Sequence, residues 1–139
     1  MSRFEKFKIY HELFLKVKLS NSELLDLSNK FSKLVVQKVI GADYVPGVLK
    51  LIKASFKSKL LFVSTGTPEE EINEILDAKN INKYFTKVYG SPRHKETHIK
   101  DIMNNYGLES KELVFYGDSH ADLHAAEAFE IPFILVRNK

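Results

Sequence analysis

The chain predicts an α/β fold, a Rossmann-like sheet of parallel strands preceded by a helical pair, and three observations carry that expectation. From Pro46 onward, short apolar runs rich in β-branched and aromatic residues alternate with stretches of helical periodicity, the pattern of strands joined by crossover helices. Residues 2–40 show helical spacing alone, with two helix-start signals. Finally, Asp118 and Asp122 stand in the turn that follows the apolar run Leu113-Val114-Phe115-Tyr116. The carboxyl end of a strand in an open α/β sheet is where ligands bind.

Taken in order, Ser2-Arg3-Phe4-Glu5 is a capping-box pattern, and Phe4, Phe7, Tyr10, Phe14 and Val17 follow at helical spacing. Ser20-Asn21-Ser22-Glu23 repeats the signal ahead of Leu24, Leu27, Phe31, Leu34 and Val35. A short loop between two such helices makes them antiparallel neighbours. Gly41-Ala42-Asp43-Tyr44 breaks the pattern, so the expected domains are a helical unit over 1–42 and an α/β unit over 43–139. Pro46 suits the first turn of a helix over 48–54. Lys59 to Ser64 reads as a strand turned by Thr65-Gly66, and Thr67-Pro68-Glu69-Glu70 starts a helix buried through Ile72, Ile75 and Leu76. Lys87 to Gly90 is a second strand, and residues 94–106 form a helix with Ile99, Ile102 and Met103 inward. The run ending at Tyr116 is a buried strand closed by Gly117, followed by a helix over 121–129 and a last strand over 131–136.

Composition narrows the function. The 139 residues suffice for a domain with its own core, and 44% hydrophobic with 28% charged residues describes a globular chain. The net charge of +3 comes from interspersed charges of both signs, without the basic cluster of a nucleic-acid binder. Absence of cysteine excludes disulfides and thiolate metal sites. No apolar run approaches the ~20 residues of a membrane span, and residues 1–8 lack a signal-peptide core. The expectation is a cytoplasmic protein with neither nucleic-acid nor membrane partners.

Polar groups gather at strand ends. Ser64 supplies a hydroxyl, with backbone amides at Thr65 and Gly66 just before a helix, a small anion site. Lys95 supplies an ammonium in Gly90-Ser91-Pro92-Arg93-His94-Lys95. Asp118 and Asp122 would repel each other in one turn unless a hard cation, Mg²⁺ above all, lies between them. Together these groups would neutralise a phosphoryl group. Singly, each also fits something plainer: Ser64 a turn, Lys95 a solvated helix lysine, and the aspartates an acidic helix N-terminus favoured by the dipole.

These residues, in this order, resemble the motifs of the haloacid dehalogenase-like (HAD) hydrolases, mostly Mg²⁺-dependent phosphatases. Phe62-Val63-Ser64-Thr65-Gly66-Thr67 looks like that family's second motif, Lys95 like the lysine of its third, and Gly117-Asp118-Ser119-His120-Ala121-Asp122 like its fourth, Gly-Asp-Ser-x-x-Asp. The resemblance implies that Asp118 ligates Mg²⁺, that Asp122 supports the site, that Ser64, Thr65, Gly66 and Lys95 hold phosphate, and that the substrate is a small phosphate ester. Residues 1–42 resemble part of the helical cap of the β-phosphoglucomutase and phosphoglycolate phosphatase branch, where the Ser2-Arg3 pair makes Arg3 a candidate substrate contact. The Mg²⁺-free dehalogenase branch fits the fourth motif poorly.

One departure matters for activity. The family's first motif, Asp-x-Asp-x-Thr, carries the nucleophile and the general acid/base, and this sequence contains no Asp-x-Asp. The chain resembles a family member that begins inside its cap, by truncation, gene splitting or degeneration. Little or no turnover is expected of it. The alternative is a non-catalytic phosphate- or metal-binding module, or an interaction fragment needing a complementing chain. In the family the missing strand lies between those ending at Ser64 and Tyr116. Those two strands are therefore expected either to close on each other or to recruit a further segment, by self-association or from a complementing chain.

Overall fold

Helix α1 (Asn21–Ile40) opens the described residues, 20–137, of this computed structural model. The expected first helix and Arg3 lie outside them. The Ser20 capping box forms as expected: the Ser20 hydroxyl accepts from the Glu23 N–H at 3.2 Å, and the Glu23 carboxylate accepts from the Ser20 N–H at 3.1 Å. Leu24 and Val36 of α1 are buried, whereas Leu34, expected inward, is 62% exposed. The reason is coverage. Helix α1 packs on α3 (Glu69–Ala78), which has half its length and so covers only part of the apolar stripe. The Ser32 hydroxyl donates to the Glu71 carboxylate across that contact, and Lys79 Nζ donates to the Ala42 carbonyl at 2.8 Å.

Helix α2 (Val48–Ser55) starts one residue after Gly47, whose φ of +83° is left-handed and suits glycine. Pro46 therefore lies ahead of the cap rather than in the first turn. Strand β1 (Phe62–Pro68) pairs in parallel with β2 (Lys87–Ser91), Ser64 opposite Tyr89 and Pro68 opposite Ser91. That last pairing holds Thr67 and Pro68 extended, so Pro68, not Thr67, is the N-cap of α3. The Thr65 and Gly66 amides consequently belong to the strand, short of the helix start.

Gly90 permits this junction. A Cβ there would sit 2.5 Å from the Thr67 carbonyl and 2.6 Å from the Glu69 backbone. The chain turns from β1 into α3 directly over β2, and only a residue without a side chain fits beneath it.

Helix α4 (Lys95–Tyr106), strand β3 (Phe115–Gly117), helix α5 (His120–Ala128) and strand β4 (Phe133–Leu135) complete the order. Strands β3 and β4 pair in parallel, Phe115 opposite Phe133. The expected α/β arrangement of parallel strands is present, divided into two two-stranded sheets, β1–β2 and β3–β4. Strands β1 and β3 do not pair, so direct closure does not occur, and each has one strand neighbour among the described residues. For the same reason β3 is not the fully buried strand its apolar run implied. Leu113 and Phe115 pack on the core, while Val114 and Tyr116 are 52% and 49% exposed. Successive side chains point to opposite faces, and only one face here is covered.

Each sheet has its own apolar cluster. Leu76, Ile81 and Val88 bury against Val63 and Ile72 on the β1–β2 side. Ile99, Ala125, Ala126 and Ile131 bury against Phe115 and Phe133 on the β3–β4 side. Helix α4 joins the two. Its Ile99 belongs to the second cluster, while its Tyr106 ring meets Phe62 of β1 edge-on at 5.0 Å between centroids.

Candidate functional site

Three strand ends and two helix starts converge around Lys95, the first residue of α4. Its ammonium donates to Oδ1 of Asp122, in the first turn of α5. The other carboxylate oxygen of Asp122 accepts from the backbone N–H groups of Asp118, at 3.1 Å, and Ser119, at 3.2 Å. The Ser119 hydroxyl accepts in turn from the Asp122 N–H at 3.1 Å, closing a capping box. Gly117 makes room for this. A Cβ on it would stand 2.5 Å from the Asp122 Cβ. The acidic helix start considered for Asp122 is present, and Asp122 also holds a lysine from another helix.

Electrostatics follow from these contacts. Burial alone pushes the Asp122 carboxyl up. The Lys95 hydrogen bond and charge, with the Asp118 and Ser119 hydrogen bonds, outweigh it and bring the pKa below the ordinary value. Asp122 therefore stays ionised, and Lys95 keeps a fixed partner. An ammonium has three donors, so the pairing leaves Lys95 able to reach a second anion.

A cavity of about 300 Å³ opens beside this pair, lined by Thr65, Gly66, Ser91, Lys95, Ala121 and His124 among others. Arg93 and His94 also border it. Arg93 is engaged, paired with Asp101 and lying over the Tyr89 ring. Glu96 lines the cavity as well, so its walls carry charges of both signs, with the N-terminus of α4 at one side.

The structure gathers some expected residues here and turns others away. Thr65, Gly66 and Lys95 line the cavity, and Asp122 sits behind Lys95, 5% exposed. Ser64 points elsewhere, its Oγ 2.8 Å from Nδ1 of His98. Asp118 is exposed, and its carboxylate has no hydrogen-bond partner among the described residues. The two aspartates therefore divide. A hard cation needs about six oxygen ligands. Asp118 fits one of those positions, whereas both oxygens of Asp122 are already engaged by protein donors. Among the described residues no group of three or more His, Cys, Asp or Glu side chains could hold a metal ion.

His98 is the participant that sequence reasoning missed. It is fully buried, stacked on Tyr89 at 5.4 Å, with Nε2 3.0 Å from the Gly90 carbonyl. In sequence it stands beside the inward Ile99 on an otherwise ordinary helix, which gives no signal of a polar task.

The family model of haloacid dehalogenase-like hydrolases matches residues 8–136. A phosphoglycolate phosphatase of Photorhabdus laumondii is 29% identical over 120 residues, covering 82% of this chain and 50% of that protein. The chain thus spans about half the length of the curated relative it matches. Among solved structures, a predicted phosphoglycolate phosphatase from Haemophilus somnus aligns with a TM-score of 0.77 at 20% identity, over 95% of this chain and 62% of that one. A HAD-superfamily hydrolase of subfamily IA from Geobacter sulfurreducens aligns with a TM-score of 0.65 at 19% identity, over 95% and 79%. These structural likenesses establish the shared fold. No helix among the described residues is long and apolar enough to cross a membrane.

Proposed function

Because the chain belongs to the haloacid dehalogenase-like hydrolases, we propose that its cavity holds the phosphoryl group of a small phosphate ester, as part of a Mg²⁺-dependent phosphatase of the phosphoglycolate phosphatase kind. The observation that carries this is Lys95, held by Asp122 at the wall of a cavity beside Thr65 and Gly66. Residues 1–42 would be a helical cap fragment and 43–139 the core, in the cytoplasm. Lys95, with the Thr65 and Gly66 backbone, would bind and orient the phosphoryl oxygens, and Ser64 would contact them through its hydroxyl. Asp118 would offer its carboxylate to Mg²⁺, which when bound neutralises phosphoryl charge. Asp122 would position Lys95 rather than ligate the ion.

In this proposal the 139 residues bind the phosphoryl group without turning it over. A covalent mechanism that lacks its nucleophile keeps only positioning and charge stabilisation, and no Asp-x-Asp is present to supply one. The separate β1–β2 and β3–β4 sheets favour a complementing segment, or self-association, at the unpaired strand edges. The assay is hydrolysis of p-nitrophenyl phosphate with millimolar Mg²⁺. The 139-residue chain is expected to give background rates. Turnover that disappears in Asp118→Ala would contradict the missing-nucleophile assignment.

A further inference from the structure

Ser64 and His98 form a buried pair whose protons can be placed. The Gly90 carbonyl only accepts, so the His98 Nε2 that lies 3.0 Å away must carry a hydrogen. In a neutral imidazole the other nitrogen is then a bare acceptor. Ser64 Oγ, 2.8 Å from that Nδ1, must donate its single proton there. The hydroxyl consequently presents lone pairs, not a donor, to any further group that approaches it. An anionic oxygen needs the reverse. With its Oγ held beside Nδ1 as observed, Ser64 donates outward only if Nδ1 carries its own hydrogen and donates to Oγ, which makes His98 an imidazolium.

We propose that His98 is the positioning residue for Ser64, and that an anion taking a hydrogen bond from Ser64 brings one proton from the buffer onto His98 Nδ1. This rests on the phosphoryl-site proposal above and extends it, because it makes occupation of the site a proton-coupled event. The surroundings support a neutral resting state. Burial is the main influence and holds the His98 pKa below its ordinary value, against the Gly90 hydrogen bond. The charged groups nearby oppose one another. Arg93, in the loop after β2, acts with burial, while Glu69 of α3 and Asp101 of α4 act against it. The β2 side presents the Tyr89 ring, stacked at 30°. A bound dianion adds the negative charge that tips the balance toward the imidazolium.

Sulfate is the appropriate probe, being tetrahedral and already fully ionised, so any proton gained belongs to the protein. Long-range proton–nitrogen NMR of the 139-residue chain at pH 7.5 should show His98 with hydrogen on Nε2 alone. At saturating sulfate it should show hydrogen on both nitrogens, with calorimetry in two buffers of different ionisation enthalpy registering uptake of about one proton. Ser64→Ala should bind sulfate roughly tenfold more weakly and lose the proton gain at His98. His98→Gln should lose the uptake as well, and Ser64→Ala carries the test if that buried substitution unfolds the chain. Sulfate binding that Lys95→Met abolishes, but that leaves His98 singly protonated, would overturn this inference alone. Absence of saturable sulfate binding would overturn it together with the phosphoryl site.

Discussion

Asp122 shows how much one side chain can organise. It ties the start of α5 to the start of α4, satisfies two backbone N–H groups and holds Lys95. Removing it leaves a lysine that is 22% exposed without its partner, so Asp122→Ala should destabilise the fold by about 3 kcal/mol, the low end for breaking a buried pair. Urea unfolding measures this directly. The pH dependence has a definite sign. The folded pKa is depressed below the ordinary carboxyl value, so the contribution is complete above that value and is lost as pH falls through the lower folded one. Asp122→Asn should accordingly flatten the acid limb of a stability profile, and an unchanged limb would count against the assignment. The sequence made Asp122 legible through Gly-Asp-Ser-x-x-Asp. Its partner was not legible, because Lys95 lies 27 residues away and no local pattern encodes that contact. Ser64 lies within β1 rather than at its end, and its direction depends on a histidine from another element.

At the scale of elements, the helices were read more closely than the strands. Helices α3, α4 and α5 fall within a few residues of expectation because apolar periodicity and caps are local signals. Strand β1 runs past Ser64 to Pro68, because pairing with Ser91 overrides the N-cap chemistry of Thr67. The last strand shortens to Phe133–Leu135, the residues that face β3. Gly90 marks where two elements and a helix start collide, a constraint that no periodicity reveals. Gly90→Ala would drive a methyl into the Thr67 carbonyl and the Glu69 backbone, neither of which is a flexible side-chain end. Loss of stability of about 1–3 kcal/mol is expected, with a lowered thermal midpoint. Because the Gly90 carbonyl also accepts the hydrogen bond from His98 Nε2–H, the His98 NMR signals should shift in the same variant. Full stability in Gly90→Ala would mean that the junction is looser than its geometry.

For the whole molecule, the expected parallel α/β fold is present with its strands divided into two half-sheets bridged by α4. The division is physical, since strand alternation predicts parallel neighbours but does not say which strands touch. Strands β1 and β3 each keep one edge without a strand among the described residues, and Val114, Tyr116, Ile134 and Leu135 remain about half exposed. Such edges recruit other chains. Light scattering over a concentration series should show the mean mass rising, and Tyr116→Lys should reduce that rise; a constant monomer mass would argue that the edges are inert. The central claim concerns what the two half-sheets build between them, a cavity in which Lys95 receives a phosphoryl group. Calorimetric titration of the 139-residue chain with inorganic phosphate tests it most directly. Saturable heat that Lys95→Ala removes and Lys79→Ala preserves is the predicted result, and equal heat from all three proteins, or none from the unaltered chain, would contradict it.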